Sequence, residues 1–122
     1  MPRSSSKIAL ADTNILIYSV IQKIDLIGEV KSLGFNLVTS KCVMEELAKL
    51  SDRNMSARIA MNVYSDVEVI GGNGVGDDCI LDACARNKLI LISNDRMLCE
   101  RAMKKGISVL NMEDGRKLTW RR

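Results

Sequence analysis

Asp12 closes a short apolar run, Asn94 and Asp95 close another, and Asp77-Asp78 open a segment that follows a glycine-rich stretch. Glu46 sits in the middle of a fourth segment. The chain has no histidine, which excludes Ser-His-Asp triads, histidine-ligated zinc and imidazole acid–base chemistry. Chemistry here must run on carboxylates, cysteines or a hard metal ion. Three or four carboxylates held within a few ångströms repel one another by several kcal/mol at low effective dielectric. They coexist when a cation such as Mg²⁺ or Mn²⁺ neutralises them. The acidic residues are therefore informative only if the fold gathers them.

The elements that would gather them can be read from pattern. Lys7–Ala11 reads as a buried strand and Ile15–Ile21 as a helix behind it. Residues 24–33 repeat apolar positions at helical period and stop at Gly34, a C-terminal cap. Asn36–Thr39 is a second strand, and Ser40 is a good N-cap for a helix over Lys41–Leu50. A helix over Asn54–Tyr64 and a third strand over Val67–Ile70 precede the loop 71–76, whose glycines match neither a dinucleotide fingerprint nor a P-loop. Asp77–Asn87 reads as a helix, Leu89–Ser93 as a strand, Asp95–Lys105 as a helix capped at Gly106, and Ile107–Leu110 as the last strand. Alternating strands and helices predict an α/β fold, a three-layer α/β/α sandwich on a five-stranded parallel sheet. One domain is expected over residues 1–122, with 1–6 and 113–122 as tails.

Ligands of open α/β sheets bind beyond the carboxyl ends of the strands, where strand order reverses. If the order is 3-2-1-4-5, Asp12 and Asp95 face one crevice. On the helix 41–50, Glu46 lies at the edge of the stripe Val43, Leu47, Leu50, while Glu45 points to solvent within reach of Lys49. On the helix 77–87 a plainer reading competes, in which Asp77 is the N-cap, Asp78 a favourable first-turn acid and Asp82 the surface partner of Arg86.

Composition narrows the partners. Of 122 residues, 47% are apolar and 27% charged, the balance of an ordinary globular protein. The apolar runs are far shorter than the roughly 20 residues a membrane span needs, and with no apolar leader the expected location is the cytoplasm. Cys42, Cys79, Cys84 and Cys99 form no C-x-x-C pair and are expected to be reduced core residues. Net charge is +3, with the basic surplus in the C-terminal segment. That favours an anionic partner such as nucleic acid. The aromatics are Tyr18, Phe35, Tyr64 and Trp120, too few to predict a base-stacking platform. Met44, Met55, Ile59 and Met61 fit either a homodimer face or core packing.

The stretches ALADTNILIYS, CVMEELAKL and GDDCILDACARNKLILISNDRML, in this order and spacing, resemble the PIN-domain nucleases over about residues 8–112. The spacing is most similar to the branch that processes small-subunit ribosomal RNA, and more distantly to the ribonuclease toxins of toxin–antitoxin pairs. The resemblance implies a PIN-like fold and a metal-dependent endoribonuclease acting on single-stranded RNA. It carries over Asp12, Glu46, Asp78 and Asp95 as catalytic residues, with Asp77 and Asp82 as further acids. Asn14, Ser93 and Asn94 support them. Mg²⁺ or Mn²⁺ would be held by Asp12, Asp78 and Asp95, with Asp77 and Asp82 as further candidate ligands, and Arg96 and Arg101 would hold the RNA backbone. An antitoxin or a ribosome-assembly protein is the implied partner. Two other readings compete: a non-catalytic RNA- or protein-binding scaffold on the same fold, and an aspartyl phosphatase using Asp12, which lacks the usual second acid because position 14 is Asn.

Overall fold

A computed structural model describes residues 7–113 and 117–122, and the expected N-terminal tail 1–6 lies outside them. β1 (Ile8–Ala11) is followed at once by α1 (Thr13–Ile21); α2 (Leu26–Ser32) then leads to β2 (Asn36–Ser40). α3 (Lys41–Leu50) and α4 (Met55–Val63) form a helical pair before β3 (Glu68–Ile70). The second half runs α5 (Asp77–Asn87), β4 (Ile90–Ile92), α6 (Arg96–Lys104), β5 (Val109–Glu113) and β6 (Lys117–Trp120).

The helix starts are set by short polar side chains that take up orphan backbone N–H groups. Asp12 accepts from Ile15 N–H at 2.9 Å, Asp25 from Gly28 at 3.1 Å, Ser40 from Val43 at 3.2 Å and Asn54 from Ala57 at 3.0 Å. Asp95 does the same for Leu98 at 3.1 Å. α5 differs. Its N-cap is Gly76, at φ +61°, with no side-chain cap, so Asp77 is the first helical residue and not the cap that the plainer sequence reading gave it.

The sheet has the order β3-β2-β1-β4-β5-β6. The first five strands are parallel in the expected order, with Leu10 opposite Val38 on one side and Leu91 on the other. A sixth strand, antiparallel to β5, corrects the expected C-terminal tail: Met112 pairs with Leu118 and Glu113 with Lys117. Leu118 points inward and is buried between exposed Lys117 and half-buried Thr119, and Trp120 packs edge-on to Phe35 with ring centroids 5.9 Å apart. Apolar strands covered by helices on both faces bury Leu10, Leu91, Ile92 and Leu110 completely, beneath Leu16, Leu47, Tyr64 and Leu98.

The cysteine expectation is also corrected. Cys42, in the first turn of α3, and Cys79, in the first turn of α5, form a disulfide, while Cys84 and Cys99 are free and buried. The bond joins the two helices that carry Glu46 and the Asp77-Asp78 pair.

Candidate active site

Asp12 stands where β1 gives way to α1, and its backbone N–H donates to Ile92 O at 3.1 Å, extending the β1–β4 pairing by one residue. Its side chain is only 4% exposed. One carboxylate oxygen caps α1 through Ile15; the other accepts the Ser93 hydroxyl at 2.5 Å. That same hydroxyl oxygen accepts the N–H of Asp95 at 3.0 Å. A single serine at the end of β4 thus ties the two aspartates at the strand-order reversal into one crevice.

The turn carrying Asp95 is held from β5. Asn94 donates to Met112 O at 3.1 Å and accepts from Met112 N–H at 2.8 Å, a side chain acting as one more rung of the sheet. Asn111 donates to Ser93 O at 2.7 Å. From the other side, Glu46 accepts the buried Thr13 hydroxyl at 2.6 Å, which brings the α3 carboxylate to the start of α1. Sequence reasoning missed Thr13 and Asn111; a polar residue directly after the strand-ending Asp12 was the available signal for the first. Asn14 lines a cleft of about 280 Å³ with Tyr18, Asn94 and Asp95.

The α5 acids divide by direction. Partial burial first, then the like charges of Asp95, Glu46 and Asp78, raise the Asp77 carboxyl, with only Arg101 opposing. Asp78 turns the other way, 2.5 Å from Arg101 of α6 and largely exposed. Asp82 lies outside the crevice: it accepts from Asn73 N–H at 2.7 Å, pinning the glycine loop, and pairs with Arg86 at 2.9 Å. That loop packs so closely on α5 that a Cβ on Gly72 would meet Cys79 O at 2.5 Å. Arg96 pairs with Glu100 at 3.3 Å on the same helix. Glu45 and Lys49, the expected surface pair, form no ion pair among the described residues.

Burial is the main reason that the Asp12 carboxyl is pushed up to about 6; the Ser93 and Ile15 hydrogen bonds pull it down, and the charges of Asp95 and Asp77 push it further up. Among the described ion pairs none supplies a cation to Asp12, Asp95 or Glu46. A buried anion beside like charges is the electrostatic vacancy that a divalent ion fills. Among the described residues, no three acidic, cysteine or histidine side chains close tightly enough to ligate an ion together.

An α/β/α sandwich on a mostly parallel sheet, with acids at the strand-order reversal, defines a class, and the family model described as "PIN like domain" matches residues 9–115. The chain belongs to that family. It is 31% identical over 117 residues to ribonuclease VapC9 of Archaeoglobus fulgidus, an alignment covering 90% of this chain and 86% of the relative. The solved structure of the PIN domain endonuclease Utp24 superimposes with a TM-score of 0.79 at 27% identity, covering 98% of this chain and 94% of the other.

Proposed function

We propose that this chain is a single-domain, Mg²⁺- or Mn²⁺-dependent endoribonuclease that hydrolyses phosphodiester bonds of single-stranded RNA. One observation carries the reading: Asp12, Asp95 and Asp77 act on one another as like charges and Glu46 acts on Asp77, four acids from four separate segments, with no cation pairing Asp12, Asp95 or Glu46 among the described residues. A ribonuclease and an endonuclease among its relatives support it. A bound divalent ion would acidify a water and stabilise charge on the scissile phosphate.

The protein side of the mechanism follows from rigidity. Asp12 is fixed by two hydrogen bonds and burial, so it would serve as the fixed ligand for the ion. Asp95 is placed by the Ser93 hydroxyl, and Asp77 completes the negative wall. Glu46, exposed and oriented by Thr13, is positioned to take the proton of the attacking water. Arg101 and Arg96, at the rim on α6, would exchange their carboxylate partners for RNA phosphates, contributing salt-sensitive affinity without base readout.

The family resemblance selects Asp78 on α5, whereas the geometry favours Asp77. Asp77→Asn is expected to lower Mn²⁺-dependent cleavage of labelled single-stranded RNA by at least about 100-fold. Asp78→Asn should cost less than about tenfold, by freeing Arg101. The reverse ranking would move the site to Asp78. EDTA should abolish cleavage by the wild type. If instead the protein binds RNA and never cleaves it with Mn²⁺, the catalytic reading falls and a binding scaffold on the same fold takes its place.

The family resemblance allows two biological settings, ribosomal RNA processing or toxin-type RNA cleavage, and correspondingly a ribosome-assembly protein or an antitoxin as partner. A cytoplasmic location agrees with either. Among the described residues no helix is long and apolar enough to cross a membrane. The proposed homodimer face is narrower than the methionine set suggested, because Met44 and Met61 pack against the core. Met55, Ile59 and Val63 remain as an exposed stripe along α4. If this stripe seats a second copy, sedimentation velocity should show a concentration-dependent dimer that Ile59→Glu converts to monomer. A wild-type monomer at all concentrations overturns it.

A further inference from the structure

A cleft of about 580 Å³ lies away from the carboxylates. It opens at the opposite edge of the sheet, where β1, β4 and β5 begin, and it is lined by Lys7, Lys88, Lys105, Phe35 and Trp120 with no acidic side chain. We propose that this cleft binds a segment of single-stranded RNA, stacking a base on Trp120 and holding phosphates with Lys7, Lys88 and Lys105. The inference rests on the RNA reading above and adds a second contact surface to it.

Charge argues for an anionic occupant. None of the three lysines pairs with a carboxylate among the described residues. Lys88 and Lys105 are the C-caps of α5 and α6, whose carbonyl ends bring partial negative charge of about half an electron each. Three full positive charges outweigh two half-charges, so the cleft stays net positive. The volume lies within the range of about 300–1,000 Å³ typical of small-ligand sites.

The aromatic pair argues for a nucleobase over an acidic peptide. Trp120 is 49% exposed although it packs edge-on to Phe35, which fixes its ring at interplanar angle 86° while leaving indole surface to solvent. A rigid, half-exposed aromatic beside lysines is the combination that single-strand binders use, stacking for the base and charge for the backbone. Four aromatics scattered through the chain predicted no platform; β6 supplies one by bringing the C-terminal tryptophan to Phe35 and the lysines. Lys7 and Asp12 flank β1, so the two sites are separated by about 16 Å along the strand at 3.3 Å per residue. An RNA strand long enough to wrap the sheet edge could touch both.

The chain has a single tryptophan, so its emission reports the cleft directly. The experiment titrates Asp12→Asn protein in EDTA, where RNA is not cut, with oligouridylate of about a dozen nucleotides at several salt concentrations. Expected are saturable quenching of Trp120 and an affinity that falls steeply with salt. In a Lys88→Glu/Lys105→Glu variant, followed by anisotropy of labelled RNA, affinity should drop about tenfold or more. The logarithmic salt slope should flatten by about 1.4, for two lost single-strand phosphate contacts. An unchanged thermal midpoint shows that this variant is folded.

No quenching, or undiminished affinity in the double lysine variant, overturns the proposal. So does equal quenching by uridine monophosphate, which would make this a mononucleotide site, or by polyglutamate, which would make it a general polyanion surface. Wild type that cleaves RNA with Mn²⁺ while Trp120 stays unperturbed removes the cleft alone. Quenching with no cleavage removes the nuclease reading and leaves the cleft standing.

Discussion

Asp12→Asn should give a protein that is more stable and catalytically dead. Asp12 is buried and its carboxyl is raised from 3.8 to about 6, chiefly by burial. A carboxyl whose folded-state value lies above its unfolded value favours folding most in the protonated form. Its contribution is therefore fully present below about pH 4 and is lost as pH rises through about 6. Above pH 7 the ionised side chain costs the metal-free fold about 3 kcal/mol, an order-of-magnitude figure from the size of that displacement. Asparagine retains the cap, because its amide oxygen can accept from Ile15 N–H, and its amide nitrogen can donate to the Ser93 oxygen. The charge cost and the repulsion from Asp95 and Asp77 are removed together. In EDTA at pH 8 the melting temperature should rise by up to roughly 10 °C, and the difference from wild type should shrink toward pH 4.

The same substitution should reduce Mn²⁺-dependent cleavage by about 1,000-fold or more, since it deletes the anchor on which an ion would sit. Mn²⁺ should raise the melting temperature of the wild type, because a ligand that binds only the folded state stabilises it by mass action, and should leave Asp12→Asn unmoved. Cleavage retained in Asp12→Asn with equal stabilisation of both proteins by Mn²⁺ would dismiss the proposed centre. A wild-type stability that does not fall between pH 4 and 7 would dismiss the electrostatic account of Asp12.

Much of the scaffold was legible because its signals are local. Ser40 before an amphipathic run marks α3, and its Lys41–Leu50 bounds follow from the cap and the apolar stripe. The apolar stretches Lys7–Ala11 and Leu89–Ser93 read as doubly covered strands, and their alternation with helices predicts a parallel sheet; the expected order 3-2-1-4-5 is the one observed for the first five strands. What escaped depended on contacts far apart in sequence or on backbone direction. Asp77 and Asp78 differ by about 100° around α5. Which one meets Asp95 is decided by how the chain enters the helix through Gly76 at φ +61°, and residue types alone do not encode that direction. β6 is short and carries one buried apolar side chain, Leu118, so its pattern is too slight to separate from a tail. The cleft at the far edge needed β6 to bring Trp120 to Phe35.

The disulfide is the sharpest case of a long-range feature, and breaking it should have the second large effect. Cys42 and Cys79 are 37 positions apart, and closing a loop of that length in the unfolded chain is worth about 4 kcal/mol in the chain-entropy account. Denatured without reductant, protein purified under oxidising conditions should expose two alkylatable thiols, Cys84 and Cys99, and four after reduction. In the folded state neither free thiol should react readily: burial pushes Cys84 up to about 12 and raises Cys99 as well. Reduction, or Cys42→Ser/Cys79→Ser, should lower the urea midpoint by an amount equivalent to about 4 kcal/mol. Because the bond clamps the first turns of α3 and α5, its loss should also loosen Glu46 and Asp77 relative to Asp12 and Asp95, which are fixed independently through Ser93. Cleavage should then fall under conditions where the reduced protein is still folded, while metal-dependent stabilisation anchored at Asp12 persists. Four thiols labelled without reductant would contradict the bond itself. A stable reduced protein with undiminished cleavage would show that α3 and α5 are held in place by their packing alone.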